Sequence, residues 1–153
     1  MTTDHEGNLY ITDTNGEAIR AYDIDADWVS TLAGGSGIDP PVYRDSEQGT
    51  VSLLRPRGLV SDGTSLYWGE QTAHTIRQLV IDNLEASTLV GVRGCAGNID
   101  GVGGEGSQDW SGACGDPAIA AFPRIDTPLG GLVYHFPTRS LLFLESGRLR
   151  MVR

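Results

Sequence analysis

Apolar and β-branched residues fall in short runs separated by turn formers. Between Arg55 and Gly91 four such runs, at 58–61, 66–69, 75–81 and 87–90, are broken by Asp-Gly, Thr-Ala-His and Asp-Asn. Runs this short, rich in aromatic and β-branched residues, predict a meander of antiparallel strands. No apolar run is long enough to span a bilayer.

The same pattern recurs. Leu9-Tyr10 matches Leu66-Tyr67, Ile19-Arg20 matches Ile76-Arg77, and Thr31-Leu32 matches Thr88-Leu89, each pair 57 positions apart. A third copy begins at Pro128, where Gly131-Leu132-Val133 echoes Gly58-Leu59-Val60 and Leu149-Arg150 echoes Ile76-Arg77. A repeated four-strand unit predicts radial repetition of small sheets, because each sheet buries its faces only against its neighbours.

The residues that carry the repeat are Pro-x-Gly-Leu, Gly-x-x-Leu-Tyr, an acidic residue, Ala-His-x-Ile-Arg and Ser-Thr-Leu-x-Gly. This pattern resembles the NHL repeat of six-bladed β-propellers, with His74 where that family's namesake histidine falls and Glu17 in its place in the first copy. The Gly-x-x-Asp-Gly run from Gly97 to Gly101, followed by Ala120, Phe122 and Pro128, resembles the linker between blades. The expected fold is all-β, a partial propeller of about three blades and ten strands. Residues 1–54 form an incomplete first blade and linker, 55–91 a complete second blade, 92–127 a long Gly-rich insertion and 128–153 an incomplete third blade. A six-bladed ring needs more than this chain supplies. Either the chain is a piece of a longer protein, or two copies close the ring as a cyclic homodimer.

Charge narrows the partners. Eleven Lys and Arg against twenty Asp and Glu give a net charge of -9, which repels phosphate backbones and argues against nucleic acid and anionic membrane. The start of the chain is polar and acidic and lacks the basic flank and apolar core of an export signal. Cys95 and Cys114 cannot complete a zinc site by themselves, leaving a loop-closing disulfide or two free thiols. A disulfide favours an oxidising, extracytoplasmic setting.

Strand alternation places the turns after each second strand and the connections between blades on one rim, the natural binding face. Arg55, Arg57 and Asp126 precede or open the innermost strands near the central channel, and His74 and Trp110 belong to the same rim. These five are the candidate ligand-binding residues. Asp13, Glu70 and Glu145 recur at one register, followed by Arg20, Arg77 and Arg150. A carboxylate–guanidinium pair in every blade is the structural reading; a ring of metal-binding carboxylates is the functional one.

Other matches fail on context. Asp23-x-Asp25-x-Asp27 opens like a calcium loop, but Trp28 replaces the required glycine and Gly34 the bidentate glutamate, so it reads as an acidic turn. Gly101-x-Gly103-x-x-Gly106 matches a dinucleotide fingerprint without the helix that must follow. No nucleophile motif is present, and His5, His74 and His135 lie in turns. A binding or scaffold module that self-associates and presents its rim to a protein, peptide, glycan or small molecule is therefore expected. Six-bladed propellers similar to this one include calcium-dependent lactonases and phosphotriesterases. That resemblance implies the alternative: a calcium-dependent hydrolase with Glu70, Asp126 and Glu145 as ligands at the channel mouth.

Overall fold

A computed structural model describes residues 1–35, 51–97, 114, 125–126, 128–145 and 147–153. Eleven strands form three antiparallel sheets among these residues. The first sheet holds β1 (Thr2–Thr3), β2 (Leu9–Asp13), β3 (Ala18–Asp23) and β4 (Trp28–Gly34). The second holds β5 (Pro56–Ser61), β6 (Ser65–Glu70), β7 (Thr75–Val80) and β8 (Ala86–Gly91). The third holds β9 (Pro128–His135), β10 (Ser140–Glu145) and β11 (Arg148–Val152), with a single 3-10 turn at Phe136–Thr138. Each sheet runs in chain order from its first strand outward, and the architecture is a partial β-propeller of about three blades.

The strand expected only as a remnant at the start of the chain is formed. Thr2 and Thr3 pair with Tyr10 and Leu9, so the first blade has four strands and the total is eleven rather than ten. The acidic run Asp23 to Asp27 is the turn from β3 into β4, as its failed calcium pattern implied.

Alternation divides every blade into a face toward the preceding blade and a face toward the following one. Tyr10, Ile19 and Ala33 of the first blade pack on Leu59, Leu66, Trp68 and Leu79 of the second. Tyr67, Ile76 and Val90 of the second pack on Leu141 and Phe143 of the third. Leu53 and Ile125, each three positions before the proline that opens an innermost strand, are fully buried in these two seams. The central blade is thus covered on both sides, which is why all six residues of β6 are buried.

The outer two blades each keep an uncovered face. Ile11, Arg20, Val29 and Thr31 share the first blade's preceding face, by their pairing in β2, β3 and β4. Val133, Leu144, Leu149 and Met151 are exposed on the third blade's following face.

One backbone device repeats with the sequence. Glu17 and His74 close the turn after the second strand with φ of 49° and 58°. Gly34 and Gly91, at φ of 72° and 104°, run against the carbonyls of those two residues, where a Cβ would collide. Only glycine meets both demands without strain, which is the physical content of the final Gly in Ser-Thr-Leu-x-Gly.

Candidate functional site

The three repeated ion pairs are all formed. Arg20 Nη2 lies 2.8 Å from Asp13 Oδ2, Arg77 Nη1 3.7 Å from Glu70 Oε2, and Arg150 Nη1 2.7 Å from Glu145 Oε1. Their chemistry is the same but their burial is not. Side-chain exposure is 31% and 36% for Arg20 and Asp13, 0% for both Arg77 and Glu70, and 14% and 0% for Arg150 and Glu145. The pair faces the preceding blade, so it is sealed where such a blade is present and open where none covers it. The Arg20 guanidinium and the Gly16 amide hold the Asp13 carboxyl below its ordinary value.

Glu70 and Glu145 therefore lie in separate seams. Glu70 accepts from the Trp68 indole at 3.2 Å, and Glu145 Oε2 accepts the Asp126 backbone N–H at 2.9 Å. The structure brings Asp126 to Glu145 through that bond, at the base of β9. Among the described residues no group of three or more His, Cys, Asp or Glu side chains is arranged to hold a metal.

Arg55 and Arg57 are exposed on either side of Pro56, where β5 begins. Arg55 takes a φ of 53°, and the Thr14 hydroxyl donates to the Pro56 carbonyl at 2.8 Å, fixing the first blade's second turn to the start of the second blade. Two exposed guanidiniums so close in sequence offer fork-shaped donors to an anion or a polyhydroxylated ligand. His74 is half-buried. Its N–H donates to the Glu70 carbonyl at 2.9 Å, and its Nδ1 is buried without a hydrogen-bond partner among the described residues.

The Cys95–Cys114 disulfide is present, with a Cα separation of 5.3 Å, and it ties the insertion to the segment leaving β8. Trp110, the glycines from Gly101 to Gly106, Ala120, Phe122 and Ser146 lie outside the described residues.

The opposite rim carries a constellation that sequence reasoning missed. Asp4 accepts the Tyr10 hydroxyl at 2.9 Å together with the amides of Glu6 and Asn8. Asp62 accepts the Tyr67 hydroxyl at 2.8 Å together with the amides of Thr64 and Ser65. Burial pushes the Asp62 carboxyl up, but these hydrogen bonds outweigh it and hold it below the ordinary 3.8. Burial and the Asp4 carboxylate push Tyr10 up to about 12, and burial with Asp62 pushes Tyr67 up as well. Beside this latch Tyr67 stacks on Tyr134 with ring centroids 5.6 Å apart, Tyr134 meets Phe136 edge-on at 5.1 Å, and Phe136 lies 5.6 Å from His5. The spacing of Asp to Tyr in each first turn was the available signal.

Neither a protein-family model nor a curated protein sequence matches the chain. Solved structures do. An auxiliary nutrient binding protein from Bacteroides ovatus is similar at a TM-score of 0.66 and 17% identity, over 95% of this chain and 34% of that one. A second auxiliary nutrient binding protein, from Bacteroides thetaiotaomicron, is similar at 0.61 and 17%, over 95% of this chain and 35% of that one. A structural-genomics protein of unknown function from Bacteroides thetaiotaomicron is similar at 0.63 and 16%, over 95% and 32%. The chain spans about a third of the length of each, and at these identities the likeness is one of fold.

Proposed function

We propose that this chain is a ligand-binding segment of a six-bladed propeller of the NHL type, and that it binds rather than converts its ligand. The observation that carries this reading is the fold shared with the Bacteroides ovatus auxiliary nutrient binding protein. The chain's own residues supply a binding surface to go with it. Arg55, Arg57, His74 and Asp126, joined by Trp110 of the insertion, form the ligand-facing part of the rim. Arg55 and Arg57 select an anionic or polyhydroxylated group, such as an acidic glycan or peptide. Three further blades complete the ring, contributed by a second copy of the chain, and the assembled rim encircles the channel.

Titration of the protein with a panel of neutral and acidic oligosaccharides and peptides, followed by calorimetry, tests the reading. Saturable binding that weakens at least about tenfold in the R55A/R57A double variant supports it, since two charge-assisted contacts are lost. Calcium-dependent turnover of an aryl lactone or phosphotriester, abolished by chelator, overturns it. Such chemistry requires Glu70 and Glu145 to leave the ion pairs they occupy. Ring closure has its own measurement: a mass in solution near twice 16.3 kDa supports it, and a monodisperse monomer removes it.

A further inference from the structure

β11 occupies the third-strand position of its blade, matching β3 and β7, but the sheet order ends with it. In the other two blades that strand is paired on both sides, by β4 and by β8 on its outer edge. Among the described residues no strand pairs with the outer edge of β11. An unpaired edge is a template for another strand.

The seat beside this edge is also shaped. Fourth strands bury small residues in the seams, Ala33 in the first and Ala86 in the second blade. Next to the third blade a cleft of about 100 Å³ remains, lined by Leu89 of β8, Leu141 of β10 and Val152 of β11, with Tyr67, Gln78 and Tyr134.

The two existing fourth strands define what fits. Both read Ser-Thr-Leu-x-Gly, at 30–34 and 87–91. Both ladders shift register at the same point, between Ile19 and Arg20 and between Ile76 and Arg77. Past the shift a threonine stands opposite the arginine, Thr31 opposite Arg20 and Thr88 opposite Arg77. In the first blade Arg20 Nη1 donates to the Thr31 hydroxyl. Arg150 holds the equivalent place in β11.

We propose that the outer edge of β11 docks an extended peptide of the Ser-Thr-Leu-x-Gly type. The peptide adds antiparallel as a fourth strand, its threonine opposite Arg150 and its glycine opposite Arg148. Backbone hydrogen bonds supply affinity, and the threonine and the small side chains entering the cleft supply selection. This docking is independent of the ligand at the rim.

A fluorescent peptide carrying the sequence of residues 85–92 is titrated into the intact protein, with amide hydrogen exchange read in parallel. Saturable binding with new protection confined to 148–152 is the expected result. A peptide with the threonine replaced by valine binds roughly tenfold more weakly, and a scrambled peptide does not bind. All changes are in the peptide, so the folding of the protein is not in question. Absence of saturable binding, equal binding of the scrambled peptide, or protection mapped elsewhere overturns the proposal.

Discussion

Asp13–Arg20, Glu70–Arg77 and Glu145–Arg150 are one interaction placed in three dielectric environments. Removing one partner of a buried pair strands the other charge away from water, a cost of about 3–5 kcal/mol. An exposed pair is screened and worth about 0–1 kcal/mol. Arg77→Met should therefore destabilise the protein by several-fold more than Arg20→Met, although the two arginines are 57 positions apart in one repeat. Urea unfolding of the two variants measures this, and equal losses would show that burial does not set the energetics. Sequence made the pairs legible because the spacing of carboxylate and arginine repeats. It could not show their unequal burial, which depends on which blades have neighbours.

At the level of strands and turns, the repeat was readable wherever alternation extended over several residues. β6 and β7 were foreseen on that basis, and β7 ends at Val80, one residue before the expected stop. β1 is two residues long, too short for any alternation to register, and it exists because Thr2 and Thr3 meet an exposed edge of β2. The Asp–Tyr latches were hidden for a different reason. The turn from Asp4 to Tyr10 is one residue longer than that from Asp62 to Tyr67, so the aspartates fall out of the fixed offset.

These turns carry a pH signature. The Asp62 carboxyl is held below 3.8 in the folded protein, so its contribution is fully present above that value and is lost as pH falls through the lower folded pKa. Asp62→Asn should cost about 1–2 kcal/mol at neutral pH, where a charged acceptor of several donors is replaced by a neutral one. The gap from the parent protein should close as the pH drops below 3.8. A gap that stays constant across an acid titration of urea unfolding would remove the latch from the stability of this turn.

For the whole molecule, the architecture was legible and the function was not. Three copies of one unit specify a propeller segment, and the disulfide followed from two cysteines in one insertion. The rim was placed correctly as a surface, since Arg55 and Arg57 are exposed there. Ligand identity is not written in a repeat, because the repeating residues build seams and the ligand meets those that do not repeat. His74 illustrates the division: it stands at the family's signature position, yet its backbone conformation and its bond to Glu70 make it a turn residue first.

The covering of the central blade on both faces also bears on how the chain comes to be folded during synthesis. Tyr10, Ile19 and Ala33 leave the ribosome before the surface they pack against, since Leu59, Leu66 and Trp68 lie in the next blade. The first blade cannot settle alone, and the smallest segment with a closed apolar seam is the first two blades together. A chain of residues 1–97 should accordingly unfold in a cooperative urea transition, whereas one of residues 1–54 should show none. Cooperative unfolding of the shorter chain would mean that a single blade is already a folding unit.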